Sequence, residues 1–204
     1  MLKAIFFDYH GVLDKRTLKF AMHNLIVKKT YDPASGLSLA EYEHNFSERY
    51  LLLNEENCTG IAPPEKFWQE LERTGIPHAL VERAWKYILT IEPNQALWKL
   101  LPILRKKYHL GILSDCSTDK LALILQHYDL SKYFDAWYFS CDHQLTKRDP
   151  EFFGLMRADN RFARKECVFV DDQENKVAFA KSLGFQAITF KNASALLAAL
   201  NNLE

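Results

Sequence analysis

Asp8, Ser114, Lys147 and the adjacent pair Asp171 and Asp172 are the residues of this chain best placed to do chemistry together. Asp8, Ser114 and the pair each follow a short apolar run: Ala4-Ile5-Phe6-Phe7, Leu110-Gly111-Ile112-Leu113 and Cys167-Val168-Phe169-Val170. A weaker run, Ala136-Trp137-Tyr138-Phe139, precedes the loop that reaches Lys147-Arg148-Asp149-Pro150. Continuous apolarity of this length suits strands buried on both faces. Open parallel sheets bind ligands outside the carboxyl ends of their strands. A single acid there is more often a cap or a solvated turn. Three carboxylates, a hydroxyl and an ammonium at one sheet edge are harder to dismiss. The carboxylates would repel one another in a partly desolvated site. A divalent cation together with Lys147 would neutralise them, and hard oxygen ligands favour Mg²⁺, which also commonly holds substrate phosphates.

Strands and helices must alternate to bring these residues to one edge. A further apolar run is Ala187-Ile188-Thr189-Phe190, and helical spacing fills the gaps: Leu97 to Tyr108, Lys120 to Tyr128, Asn175 to Leu183 with Gly184 as a stop, and Ala193 to Leu203. This rhythm predicts an α/β, doubly wound (Rossmann-like) parallel sheet. Residues from about Lys15 to Ile91 break it. They carry helical patterns only, such as Leu39 to Leu53 and Phe67 to Arg73, punctuated by Pro63-Pro64 and Gly75-Ile76-Pro77. We expect a core of residues 1–14 and 92–204 and an inserted all-helical cap domain over 15–91.

The 204 residues carry 26 basic and 26 acidic side chains, so the formal net charge is zero. That balance argues against a nucleic-acid partner, which needs a basic footprint. Lys28-Lys29, Arg105-Lys106-Lys107 and Lys147-Arg148 are short basic tracts of the kind found on solvated faces, with Lys147 the exception, since it would help neutralise the carboxylates. No run approaches the ~20 apolar residues of a membrane span, and the N-terminal apolar run reads as a core strand rather than a signal peptide. Cys58, Cys116, Cys141 and Cys167 lack metal-type spacing and are expected as free thiols in a cytoplasmic protein. Cys141-Asp142-His143 lacks the spacing of a closed zinc site. We expect no membrane partner and a monomer or weak homodimer.

Four motifs give these residues a family likeness. Ile5-Phe6-Phe7-Asp8-Tyr9-His10-Gly11-Val12-Leu13 resembles the first motif of the haloacid dehalogenase (HAD) superfamily, and Ile112-Leu113-Ser114-Asp115 resembles the second. Lys147-Arg148-Asp149-Pro150 is similar to the third, with Arg148 where proline is usual. Val168-Phe169-Val170-Asp171-Asp172 resembles the fourth in its Asp-Asp form. The motifs occur in the family's order, and the insert matches its helical cap. The resemblance implies an Mg²⁺-dependent hydrolase of a small phosphorylated metabolite acting through an aspartyl-phosphate. Asp8 would be the nucleophile. Ser114, Asp115 and Lys147 would hold the phosphoryl group. Asp8, the His10 carbonyl, Asp171 and Asp172 would hold the metal.

His10 departs from the pattern, because phosphatases of this family carry an acid/base Asp there. His10 could replace it, since imidazole titrates near neutral pH. Alternatively the chain is a catalytically weak or silent phosphate-binding or interaction protein. Dehalogenation is disfavoured, because relatives with that activity do not use the metal-binding acid pair. A phosphorylatable switch domain is disfavoured by order, because such domains place the acidic pair first. Phe20, Tyr42, Phe46, Tyr50 and Trp68 could line a substrate pocket or fill a core. The other histidines, His23, His44, His78, His109, His127 and His143, read as surface or packing residues.

Overall fold

Ile5 and Phe7 belong to one buried cluster and Ala4 and Phe6 to another, so the first strand is covered on both faces. That is why its sequence is continuously apolar rather than alternating. The computed structural model describes residues 1–158 and 162–203 of the chain, apart from the side chains at 48, 49, 51, 52 and 158. Its sheet has five parallel strands: β1 (Ala4–Phe7), β2 (His109–Ser114), β3 (Ala136–Phe139), β4 (Cys167–Asp171) and β5 (Gln186–Thr189), in the order β3-β2-β1-β4-β5. The chain leaves β1 towards β2 on one side and returns to β4 on the other. This reversal of direction opens a crevice at the carboxyl ends of β1, β2 and β4, where parallel sheets bind ligands.

The two faces of the sheet are filled differently. One packs Phe7, Leu97, Leu101, Leu110, Ile112 and Val170. The other is rich in aromatic rings, with Phe153 edge-on to Phe169 at 5.2 Å between centroids. Crossovers are helical, as the doubly wound expectation requires: Gln95–Leu104 before β2, Thr118–His127 after it, Pro150–Ala158 before β4, and Glu174–Ser182 between β4 and β5. Gly111 leaves room for the Phe6 ring, which a Cβ at that position would meet at 2.3 Å.

Between β1 and β2 the described elements are all helical. Leu18–Phe20 runs into a π-helical stretch Ala21–Val27 and on to Lys28–Thr30; the longer helices Leu39–Cys58, Pro64–Arg73 and His78–Ile88 follow. Ser38 begins the 20-residue helix with a capping box, its hydroxyl accepting from the Glu41 N–H at 3.2 Å while Glu41 reaches back to the Ser38 N–H at 2.8 Å. This insert has its own buried cluster, including Met22, Ile26, Phe67, Trp68, Val81 and Ile88. Its entry and exit run side by side: the Lys15 N–H donates to the Glu92 carbonyl at 2.8 Å. All four cysteines are free, and no helix among the described residues is long and apolar enough to cross a membrane.

Candidate active site

Because β1 lies between β2 and β4, the residues that end these strands meet. Asp8 follows β1, Ser114 closes β2 and Asp171 closes β4. The Asp8 N–H donates to the Val170 carbonyl at 2.8 Å, which carries the β1–β4 ladder one residue into the site. Asp8 and Lys147 are each 2% exposed and Asp171 is fully buried. Ser114 Oγ donates to Asp8 Oδ1 at 2.6 Å, and the Tyr9 N–H donates to the same oxygen at 2.7 Å. Lys147 Nζ lies 2.7 Å from Asp8 Oδ2 and 2.7 Å from Asp171 Oδ2, so one ammonium bridges the two acids. Thr146 and Asp149 shape the loop that delivers it: the Thr146 N–H donates to Asp149 Oδ2 at 2.8 Å.

Charge is strained here. Burial, and secondarily Asp171, raise the Asp8 carboxyl to about 8 against the pull of Lys147. Burial, then Asp171, raise Asp172 to about 6. For Lys147 burial opposes the charge, but Asp171, Asp8 and Asp115 outweigh it and hold the ammonium well above its ordinary range. Oxygens of Asp8, Asp171 and Asp172 come within 4.8 Å of one another. Asp172 Oδ1 is buried without a hydrogen-bond partner. An orphaned carboxylate oxygen beside two more acids fits a small divalent cation held by oxygen. Gly11 makes this packing possible: at φ +80° its missing Cβ would lie 2.5 Å from Asp172 Cγ.

His10 is partly buried on the wall of the cavity. Its Nδ1 lies 3.3 Å from the Arg16 carbonyl, so Nδ1 carries the proton of that bond and Nε2 keeps the lone pair. Burial, then Lys120, push the imidazole down to about 4. The Asp115 carboxylate is committed within the protein, accepting from the Lys147 N–H at 2.7 Å and lying 3.4 Å from Lys176 Nζ.

Above these residues lies a cavity of about 450 Å³ between the sheet edge and the helical insert. Tyr50 and Trp68 line it, whereas Phe20 stacks on Tyr87 at 5.2 Å and Tyr42 packs on Tyr31. Phe46 lines a neighbouring groove. Lys19, Asn57 and Lys176 also line the cavity and were not singled out from sequence. Only Lys176 left a readable signal, since it lies in the first turn of the helix that starts directly after the acid pair. Nothing local marks Lys19 or Asn57, which the fold of the insert brings in.

Comparison with known proteins agrees with this geometry. The model of the haloacid dehalogenase-like hydrolases matches residues 2–184. A D-ribitol-5-phosphate phosphatase of Bacteroides thetaiotaomicron is 31% identical over 100 residues, which spans 45% of this chain and 47%, about half, of that relative. A predicted HAD-like family hydrolase of Porphyromonas gingivalis superposes with a TM-score of 0.68 at 25% identity, covering 100% of this chain and 98% of that one. A HAD family enzyme of B. thetaiotaomicron, in complex with magnesium and inorganic phosphate, superposes with a TM-score of 0.67 at 24% identity, covering 95% and 96%. With four motif residues gathered at one sheet edge and a family match over most of its length, the chain belongs to the haloacid dehalogenase-like hydrolases.

Proposed function

We propose that the chain hydrolyses the phosphate monoester of a small metabolite, with Mg²⁺ at the acid cluster and residues 15–91 acting as a cap over the site. The observation that carries this reading is the convergence of Asp8, Ser114, Lys147, Asp171 and Asp172 at the crevice. A relative named for D-ribitol-5-phosphate and a structural neighbour holding magnesium and phosphate support the substrate class.

Asp8, Asp171, Asp172 and the His10 carbonyl would hold the ion. When bound, Mg²⁺ supplies the positive charge that lets an anionic phosphate approach three carboxylates. Asp8 attacks phosphorus, the ester oxygen leaves with a proton, and an aspartyl-phosphate forms. Ser114 Oγ, already 2.6 Å from Asp8, and the neighbouring Asp115 N–H steady a phosphoryl oxygen. Lys147 spreads the charge that develops on the phosphoryl group. The Asp115 carboxylate positions Lys147 through its backbone N–H. Water then attacks the phosphorus, restoring Asp8 and releasing phosphate. His10, with Nε2 free to accept, takes the proton from that water. In the first step His10 must be protonated before it can serve the leaving oxygen, and burial of the imidazole opposes that role.

The same tether of His10 to Arg16 favours a second reading, in which the site binds phosphate and turns over slowly or not at all. A panel of phosphorylated metabolites with Mg²⁺, polyol phosphates included, separates the two. Phosphate release by the wild type and none by Asp8→Asn is the expected result. A wild type inert on every ester, while His10→Asp turns over, would favour the silent binder.

A further inference from the structure

Lys120 is fully buried and lies outside the catalytic cluster. It sits in the first turn of the helix Thr118–His127, which follows the Ser114-Asp115 loop. All three of its N–H donors are used. Nζ donates to Asp14 Oδ2 at 2.9 Å, to the Ile88 carbonyl at 2.8 Å and to the Thr90 carbonyl at 3.0 Å. Asp14 is equally buried, and its other oxygen accepts from the Arg16 N–H at 3.0 Å and the Glu92 N–H at 3.0 Å. Arg16 lies on the segment entering the insert, and Thr90 and Glu92 on the segment leaving it. One ion pair therefore ties both connections of the insert to a core helix. The preceding residue adds a third tie, since Trp85 Nε1 from the insert donates to Asp119 Oδ2 at 3.1 Å.

An apolar pair of similar volume would hold such a joint about as well, because desolvating two charges offsets most of their attraction. A charge pair with five directed hydrogen bonds fixes geometry in a way an apolar contact does not. We infer that Lys120, acting through Asp14, is a positioning residue. It sets how the insert is seated over the crevice, and so the shape of the space left for the leaving group. The same helix carries the loop that presents Ser114, so insert position and phosphate site share one support. The inference rests on the proposed reading of the insert as a cap over a phosphate-ester site.

The test compares wild type with Lys120→Met and with the double variant Asp14→Asn/Lys120→Met, which leaves no unpaired buried charge if the single variant does not fold. Two quantities are read: hydrogen exchange at the Arg16 and Glu92 amides, and KM and kcat for the best ester of the panel and for acetyl phosphate, whose leaving group is minimal. Exchange at both amides should rise about tenfold or more with β1 amides unchanged. KM for the larger ester should rise about tenfold while KM for acetyl phosphate stays within about threefold. If the wild type is inert on all esters, the phosphatase reading fails and exchange alone decides whether Lys120 and Asp14 seat the insert. Unchanged exchange in a folded variant would overturn the inference. So would faster exchange with both KM values unchanged, or equal losses on both substrates with loss of vanadate binding.

Discussion

Asp8 and His10 sit two residues apart, and the protein treats them in opposite ways. Burial makes the acid reluctant to ionise and the imidazole reluctant to protonate. Replacing His10 with Ala should lower kcat by about 10²-fold, within the range of general acid–base help, while vanadate binding persists. Steady-state kinetics beside a vanadate titration check this; a variant matching wild type at every pH would remove His10 from the reaction. Lys147→Met should cost more, because it takes away the ammonium shared by Asp8 and Asp171. We expect kcat/KM to fall by about 10³-fold and phosphate binding to weaken with it. Each of these residues was legible from its type and its place after an apolar run. What was not legible is how each is held. The bond from His10 to Arg16, the Asp115–Lys147 contact and the buried Lys120–Asp14 pair link positions brought together only by folding.

The strands were the plainest elements, because burial on both faces leaves unbroken runs such as Cys167-Val168-Phe169-Val170. Helix ends were less plain. The spacing from Leu97 predicts a helix to Tyr108, but it stops at Leu104, and Tyr108 N–H caps the turn by donating to the Leu104 carbonyl before β2 begins. Pro102, lacking an N–H, already weakens that last turn. The π-helical stretch Ala21–Val27 carries no local signal in the sequence. At the turn after β1, Gly11 is required twice, by its positive φ and by the Asp172 carboxylate against it. Gly11→Ala should therefore cost about 1–2 kcal/mol in backbone strain alone and displace Asp172. Urea denaturation and Mg²⁺ titration of the variant should show lower stability and weaker metal binding. Wild-type values for both would mean that this turn does not support the acid cluster.

For the whole molecule, the acid cluster makes stability depend on pH and metal together. Asp8 and Asp172 hold protons more tightly in the folded protein than in the unfolded chain, at about 8 and about 6 against an ordinary 3.8. The folded state then binds more protons between these limits, so metal-free stability should fall as pH rises from about 4 to about 8. Mg²⁺ binds the ionised acids, so its stabilisation should be larger near pH 8 than near pH 5. At 100-fold excess over Kd it should raise Tm by about 5–10 °C at the alkaline end. Thermal melts with Mg²⁺ or EDTA at both pH values check this; an equal or larger shift at the acid end would contradict it. All of this chemistry turns on Asp8 taking the phosphoryl group. The most direct measurement quenches the enzyme in acid during turnover with Mg²⁺, reduces it with borohydride and maps the modified peptide. Modification at Asp8, absent without Mg²⁺, is the predicted result. Turnover with Asp8 unmodified, or undiminished turnover in Asp8→Asn, would rule out Asp8 as the nucleophile.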